Sequence, residues 1–236
     1  MIETRTNHLA RMKVVMGLGN PGPEHDATRH NVGWWVADRL AHDWGFGAYQ
    51  REGYSLITEG MVRDTSVCIV KPTTYMNRSG LSLQLLQELD DFDPVQDLLI
   101  AVDDAALDVG RVRFRSEGGA GGHNGLRSIS GALGSNTYPR LRIGVGRKPE
   151  GVDLSEWVLS PMPEEDEDMV VALLSELSEA VEFVPEMIRV DRLLTSFDDD
   201  KSGVRVVVDE FGGFVGLIGA DAVLAVLAGW WRKSSS

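Results

Sequence analysis

The segment at residues 17–33, GLGNPGPEHDATRHNVG, limits the fold of this chain more than any other stretch. It follows an apolar run at residues 14–16, so it lies where a first strand ends and a first helix is due. Pro21 and Pro23 interrupt the backbone and delay the helix until about Thr28. The chain is therefore expected to form a strand, a turn rich in glycine and proline, and a helix, which is where α/β proteins build active sites.

Three glycines of this turn, Gly17, Gly19 and Gly22, match the GxGxxG pattern of dinucleotide-binding proteins. In that pattern the third glycine lies inside a helix that the turn opens, whereas here a proline stands on each side of it. No clear second strand ends in an acidic residue about twenty positions further on. A nucleotide-dependent oxidoreductase is therefore only a minor alternative.

Short runs rich in valine, isoleucine and leucine predict six strands, at residues 13–18, 54–58, 66–70, 98–102, 111–115 and 141–145. Apolar residues at helical spacing predict helices over residues 31–44 and 79–89. A third helix is expected after Pro161 and Pro163, where a run of acidic residues would open it. This mixture of elements predicts an α/β fold, a three-layer α/β/α sandwich around a mixed, mostly parallel sheet.

The single cysteine, Cys68, lies in an apolar run and can form no internal disulfide, which favours a reducing, cytoplasmic location. Residues 1–12 contain charges but no apolar core of a secretory signal, so we expect a short disordered lead-in. The main folded domain is expected over residues 13–197.

The last part of the chain, residues 198–236, has a different character. It begins with the acidic linker DDDKSG and continues with an apolar stretch at residues 211–231 that is nearly long enough to span a bilayer. Asp221 and several glycines make insertion costly and helix formation weak. We therefore expect a packed helical appendage of unknown role rather than a membrane span.

Charge is unevenly distributed along the chain, whose formal net charge is −13. Residues 111–148 contain eight basic residues against one acid, Glu117, a local charge of +7. Such a segment is equally compatible with a phosphate-contacting surface and with ordinary solvated strand and turn residues.

A candidate general base, His30, lies at the expected start of the first helix, ten residues after Asn20. A general base needs a partner that orients its ring and stabilises its protonated form. Asp103 and Asp104 follow the apolar strand at residues 98–102 and are candidates for this role. The alternative is that His30 caps or packs the helix and that both aspartates belong to a turn.

Two further segments carry amide side chains beside predicted strand ends. In KPTTYMNRSG, Asn77 is either a helix cap or a group that holds a carbonyl or a ribose hydroxyl. In GGAGGHNGL, residues 118–126, the glycines allow a close approach to a ligand, and His123 and Asn124 favour a binding loop over a plain hairpin.

The chain contains no HExxH or CxxC motif, so a metal is not implied. It also lacks a GxSxG nucleophile elbow and the sequence context of a reactive cysteine. The chemistry expected of these residues is direct attack by water.

Taken in order, the motifs GLGNPG, TRHN, KPTTYMNRSG, AVDD, GGAGGHNGL and RLRIGVG closely resemble those of bacterial-type peptidyl-tRNA hydrolases over residues 13–197. The resemblance implies a monomeric α/β/α enzyme, active without a cofactor, that hydrolyses the ester between a peptide and the 3′ end of tRNA. It implies peptidyl-tRNA as the partner, no membrane, and the recycling of tRNA during translation.

The resemblance also implies roles for individual residues. His30 would activate water, with Asp103 orienting it, and Asn20 would read the blocked amino end of the peptide. Asn77 and Asn124 would hold the peptide main chain or the terminal nucleotide and stabilise the developing oxyanion.

The remaining implied contacts are with tRNA. Tyr75 would stack on the terminal adenine, and His25 stands where the family usually has a tyrosine. The tRNA phosphates would be contacted by Arg113, Arg115, Arg140, Arg142, Arg147 and Lys148. The alternative is a non-catalytic RNA-binding relative of the same fold. A pure binder has no need of a base with an orienting acid, so the enzyme is favoured.

Overall fold

A computed structural model of the chain describes residues 12–62, 65–87, 92–179, 183–185, 204–208 and 214–219. Its centre is a seven-stranded sheet in the order β2-β3-β4-β1-β5-β7-β6. The strands are β1 (Lys13–Gly17), β2 (Gln50–Glu52), β3 (Ser55–Val62), β4 (Thr65–Pro72), β5 (Leu98–Asp104), β6 (Val112–Glu117) and β7 (Thr137–Gly144).

The sheet is mixed, as predicted, but it is not mostly parallel, because three of its six strand pairings are antiparallel. Strand β1 pairs in parallel with β4 and β5, and β5 pairs in parallel with β7. Strand β3 is antiparallel to β2 and β4, and β6 is antiparallel to β7. Only β3 and β6 therefore run against the other strands of this sheet. The carboxyl ends of β1, β4, β5 and β7 share one edge, where the site is expected.

Helices cover both faces of the sheet, which confirms the predicted three-layer sandwich. The α-helices are α1 (Val32–Asp43), α2 (Gln84–Gln87), α3 (Pro94–Asp97), α4 (Asn124–Leu133), α5 (Leu154–Leu159) and α6 (Glu164–Glu179). Short 3₁₀ helices occupy Pro23–His25, Arg29–Asn31 and Met76–Leu83. Buried residues of α1 and α6 form one hydrophobic core, and those of the Met76–Leu83 helix and α4 form the other.

Two helices differ from the sequence prediction. Of the predicted helix at residues 79–89, the first five residues belong to the 3₁₀ helix Met76–Leu83 and the next four form the single turn α2, while the last two lie outside the described residues. Helix α4 was not predicted, because Gly125, Gly131 and several serines lower its intrinsic helix propensity. Burial of Leu126 and Ile129 against the sheet outweighs that cost.

The expected helical appendage is wrong for the parts of the tail that the structure describes. Strands β8 (Phe183–Pro185), β9 (Val204–Val208) and β10 (Phe214–Gly219) form a separate three-stranded sheet in the order β10-β9-β8. Strand β9 has the sequence VRVVV, and branched side chains favour a strand over a helix. The acidic linker and residues 220–236 lie outside the described residues. No helix within the described ranges has the length and apolar character needed to cross a bilayer.

A close approach of backbones brings α1 to the carboxyl edge of the sheet. A Cβ atom on Gly33 would lie 2.4 Å from the carbonyl oxygen of Leu18 and 2.5 Å from that of Ala101. Only glycine therefore lets the first turn of α1 rest on the ends of β1 and β5. The same contact holds the residues just before α1, including His30, over the end of β5.

Candidate active site

The expected contact between His30 and Asp103 is present. His30 lies in the 3₁₀ turn that leads into α1, and Asp103 lies near the end of β5. Nδ1 of His30 is 2.8 Å from Oδ1 of Asp103, and both side chains are buried. The candidate base and its candidate orienting acid are thus within hydrogen-bonding distance, although the residues are 73 positions apart.

A second histidine, His123, contacts the same carboxylate oxygen. Its Nε2 is 2.9 Å from Oδ1 of Asp103, and its ring centre is 4.7 Å from that of His30. Nδ1 of His123 accepts the backbone N–H of Leu126 at 3.2 Å, where the side chain caps α4. Because Nδ1 is an acceptor, the neutral ring must carry its proton on Nε2 and donate it to Asp103.

This arrangement sets the tautomer of His30. Asp103 is an ionised acceptor, so the Nδ1 atom of His30 that faces it carries a proton. In the neutral ring, the Nε2 atom of His30 then keeps its lone pair. His30 is therefore in the form that can accept a proton from water.

The charge state of Asp103 follows from opposing effects. Burial alone raises its pKa, since only 4% of the residue is exposed. The attraction of His123 and His30, together with their hydrogen bonds, outweighs burial and holds the pKa of Asp103 well below its usual range. The carboxyl is therefore ionised at neutral pH.

The same three side chains bring their ligand atoms within 4.8 Å of one another, a spacing that could hold a metal ion. The sequence motifs did not predict this grouping. A metal on Nε2 of His123 would have to replace the proton that this atom donates to Asp103. A neutral metal-bound ring would then need its proton on Nδ1, which instead faces the N–H of Leu126. The hydrogen-bond pattern therefore fits a proton-handling cluster better than a metal site.

A cavity of about 530 Å³ opens beside this cluster. Its walls are the three clustered side chains, the turn after β5, the glycine loop before α4, and helix α5. Ala105, Ala106, Leu154 and Val158 contribute apolar surface. The cavity is large enough for a small chemical group or a few amino-acid side chains.

Asn20 is held rigidly by two neighbours. Its backbone N–H donates to Oδ1 of Asn31 at 2.8 Å, and its carbonyl accepts from Nδ2 of Asn31 at 2.9 Å. Its side-chain Oδ1 accepts the backbone N–H of Met76 at 2.7 Å. With its oxygen engaged, the amide of Asn20 can offer a ligand its Nδ2 donors. Asn20 and Asn77 are not among the residues that line the cavity beside His30.

The two other asparagines lie in different surroundings. Asn124 lines the cavity, and its Oδ1 accepts from Arg127 at 2.8 Å, which leaves its Nδ2 group to face a ligand. Asn77 is exposed and lines a second cavity, of about 460 Å³, between the Met76–Leu83 helix and α4. The structure therefore brings Asn124 to the His30 cavity but does not bring Asn77 there.

His25 and Tyr75 lie together at the surface. The two rings meet edge to face, with their centres 6.4 Å apart, and Tyr75 is 60% exposed. Nε2 of His25 is 3.8 Å from Oε1 of Glu24. The exposed ring of Tyr75 could accept a stacked base, and the imidazole supports its edge.

The expectation that Arg140 contacts phosphate is wrong. Only 1% of Arg140 is exposed, and its guanidinium donates to the carbonyls of Gly119 and Asn136 and lies over the ring of Tyr138. It points from β7 under the glycine loop, so it holds that loop in place. Strand alternation alone does not reveal this, because burial depends on what covers the face.

The other predicted phosphate contacts are accessible to different degrees. Arg113 and Arg115 are exposed on β6, and Arg147 is exposed beside Asp108, at 2.8 Å. Arg142 is half-buried, lines the cavity and lies 3.0 Å from Asp104. Lys148 also lines the cavity, and it donates to the carbonyls of two nearby residues, Pro149 and Val152.

The sequence did not reveal the contacts that three residues of this site make, His123, Asn31 and Arg29. His123 was recognised as part of a binding loop, but nothing local linked it to Asp103. Arg29 and Asn31 flank His30 in the sequence, and the run RHN indicates that the three polar side chains belong to one turn. Their partners are distant in sequence, so the sequence alone does not reveal their contacts.

The fold and the site together define a three-layer α/β enzyme of the hydrolase class. The family model described as peptidyl-tRNA hydrolase matches residues 14–203. The chain therefore belongs to the peptidyl-tRNA hydrolase family.

Individual relatives agree with this assignment. The chain is 43% identical over 174 residues to a peptidyl-tRNA hydrolase of Gemmatimonas aurantiaca, covering 72% of this chain and 92% of that one. It is 39% identical over 190 residues to that of Moorella thermoacetica, covering 80% and 100%. The crystal structure of the peptidyl-tRNA hydrolase of Acinetobacter baumannii superposes with a TM-score of 0.66 at 32% identity, covering 72% of this chain and 86% of that one.

Proposed function

We propose that this protein hydrolyses the ester bond between a peptide and the 3′ end of tRNA, with His30 as the general base. The observation that carries the proposal is the hydrogen bond from Nδ1 of His30 to the ionised Asp103. It leaves Nε2 of His30 as the proton acceptor, in a residue that lines the cavity. Family membership supplies the substrate class.

The reaction needs only water and these side chains. As water attacks the ester carbonyl, Nε2 of His30 takes a proton, and Asp103 stabilises the resulting imidazolium. The tetrahedral intermediate then expels the ribose oxygen, and the proton on Nε2 passes to that oxygen. The products are a free peptide carboxylic acid and a tRNA with its terminal hydroxyl restored.

The orientation of Asn20 supports a way to tell a blocked amino end from a free one. Its Oδ1 is occupied by Met76, so a ligand meets the Nδ2 donors. The carbonyl of an N-blocked residue can accept from this donor, whereas a free ammonium group can only donate. An aminoacyl-tRNA would therefore place a donor against a donor and bind poorly.

The remaining contacts are proposed to bind and orient the substrate. Asn124 holds the peptide main chain in the cavity and supports the developing oxyanion through Nδ2. Asn77 lies nearer the surface and serves the terminal nucleotides, with Tyr75 stacking on the adenine and His25 supporting it. The exposed arginines Arg113 and Arg115 contact tRNA phosphates.

We further propose that the protein acts as a cytoplasmic monomer without a metal or other cofactor. Cys68 is buried and burial raises its pKa, which fits an unreactive thiol in a reducing compartment. Light scattering of the purified chain would test the monomer, since a stable mass of twice the chain would contradict it.

The proposed reaction is tested with N-acetyl-aminoacyl-tRNA and the purified protein. We expect hydrolysis by the wild type and a loss of about 10²- to 10⁴-fold in kcat for His30→Ala. His42→Ala is the matched control, because His42 is on the surface of α1 with 85% of its side chain exposed. A wild-type protein that binds tRNA without turnover would favour the non-catalytic RNA-binding alternative, which family membership does not favour.

A further inference from the structure

Arg29, the residue immediately before His30, is almost completely buried, with 4% of it exposed. Its guanidinium donates to the carbonyl of Val145 at 3.3 Å, to Oγ of Ser160 at 2.7 Å and to the carbonyl of Pro161 at 2.7 Å. A buried arginine is retained only where its donors are satisfied in this way. Val145 precedes α5 along the chain, and Ser160 and Pro161 follow it directly. Arg29 therefore connects the segments that flank α5 to the turn that contains His30.

The flat face of Arg29 makes a further contact with α5. Its guanidinium carbon lies 3.9 Å from the centre of the Trp157 ring, and the indole N–H of Trp157 donates to the carbonyl of Gly146 at 3.1 Å. Asp166 of α6 is 4.0 Å from the guanidinium on another side. Burial lowers the pKa of Arg29 and Asp166 counteracts this, so the group remains charged.

Backbone contacts run alongside the guanidinium. The N–H of Arg29 donates to the carbonyl of Ser160 at 3.3 Å, and the N–H of Met162 donates to the carbonyl of Ala27 at 2.9 Å. The end of α5 is thereby joined to the His30 turn. Helix α5 has only six residues, so its position depends on such anchors more than on its own hydrogen bonds.

The position of α5 matters because it forms one wall of the cavity. Leu154, Ser155 and Val158 line the same cavity as the His30 cluster, whereas Trp157 lies against Arg29. A shift of α5 away from the turn would change the width of the cavity. His30 itself has separate support from Asp103, so its orientation does not depend on Arg29 alone.

We propose that Arg29 is a positioning residue that holds α5 at a fixed distance from His30 and so sets the width of the cavity that receives the peptide. This inference rests on the proposed function. Arg29 does not touch the reacting atoms. Its loss acts through α5, so it weakens the binding of substrates whose peptide reaches that wall and leaves the chemical step at His30 in place.

The test is Arg29→Lys, which keeps the positive charge but loses the forked donors and the flat surface against Trp157. Two substrates are compared, N-acetyl-alanyl-tRNA and N-acetyl-tetraalanyl-tRNA. We expect KM for the longer peptide to rise about five- to tenfold, as for the loss of one or two hydrogen bonds, with kcat within twofold for both substrates. The wild type must hydrolyse both substrates. If it hydrolyses neither, the proposed function fails, and this result is distinct from a failure of the role inferred for Arg29.

Two further variants keep the test decisive if Arg29→Lys folds poorly. Trp157→Leu removes the stacked ring from the α5 side and is expected to give the same selective rise in KM. Arg39→Met removes an arginine on α1 that pairs with Asp43 away from the cavity, and it should change neither constant. The proposal would be overturned if KM rose equally for both substrates, if neither KM nor kcat changed, or if kcat fell while KM stayed the same.

Discussion

His123 donates from Nε2 to Oδ1 of Asp103 at 2.9 Å, while its Nδ1 is held by the first turn of α4. The glycine loop before α4 is thus connected directly to the carboxylate that contacts His30. This contact explains why a histidine follows the glycines. His123 thereby holds the Asp103 carboxylate from the side of the glycine loop.

Replacement of His123 is expected to slow catalysis. In His123→Ala, Asp103 loses one of its two donors, and His30 is held less firmly in its proton-accepting tautomer. We expect kcat for N-acetyl-aminoacyl-tRNA to fall about 10- to 100-fold, in line with the loss of an orienting contact in a catalytic cluster. The surface variant His42→Ala should retain full activity. A variant of His123 with wild-type kcat would show that Asp103 orients His30 unaided.

Asn31 is expected to be required for both stability and selectivity. Asn31→Ala leaves the N–H and carbonyl of Asn20 without partners in a buried site, which we expect to lower the free energy of unfolding by about 2–3 kcal/mol. Urea unfolding measures this loss. The side chain of Asn20 would also be held less firmly. The ratio of kcat/KM for N-acetyl-aminoacyl-tRNA to that for free aminoacyl-tRNA should therefore decrease. The exposed residue Asn136 provides a control, since Asn136→Ala should leave the preference unchanged.

Asp103→Asn is expected to reduce activity and to change how stability depends on pH. The pKa of Asp103 is lower in the folded protein than its unfolded value near 3.9. Such a group contributes stability that is fully present above the unfolded pKa and is lost as pH falls through the folded one. The variant should therefore be less stable at neutral pH, and the difference from wild type should shrink below about pH 4.

Urea unfolding of wild type and Asp103→Asn between pH 3 and pH 7 measures that difference. Asp108→Asn is the matched control, because the Asp108 side chain is 64% exposed and pairs with Arg147 at the surface. A constant difference between wild type and Asp103→Asn at every pH would contradict the assigned charge state. Hydrolysis by Asp103→Asn should fall about 10³-fold or more, since the amide no longer fixes the proton on Nδ1 of His30.

The basic residues of β6 and β7 are expected to have two different roles, binding of tRNA and stabilisation of the fold. Arg115→Ala should weaken tRNA binding and lower the slope of log K against log salt by about one, the value for one lost phosphate contact. Arg140→Ala should instead destabilise the fold, because it leaves the carbonyls of Gly119 and Asn136 unpaired. Arg51→Ala is the control for the loss of one positive charge, because Arg51 is exposed on β2 at the opposite edge of the sheet. If the slope of log K against log salt for Arg115→Ala equals that of the wild type, Arg115 makes no phosphate contact.

Much of the fold could be predicted because its signals are local. Pro21 and Pro23 act on their own backbone, and apolar spacing distinguishes strands from helices within a few residues. The strand that contains Asp103 and the helix that follows His30 were therefore predicted close to their observed bounds. Helix α4 was missed because its stability comes from burial against the sheet rather than from its own residues.

Local patterns in the sequence were enough to predict the strand–turn–helix unit and the α/β class. The order of the motifs indicated the family, and only that resemblance selected Asp103 over Asp104 as the partner of His30. Three features became visible only in the folded protein: the contact of His123 with Asp103, the burial of Arg140 under the glycine loop, and the strands of the tail. They differ from the local features in the distance along the chain over which the responsible interactions act. Propensity and spacing act over a few neighbours, whereas burial and hydrogen-bond partners depend on which distant segments cover a given face.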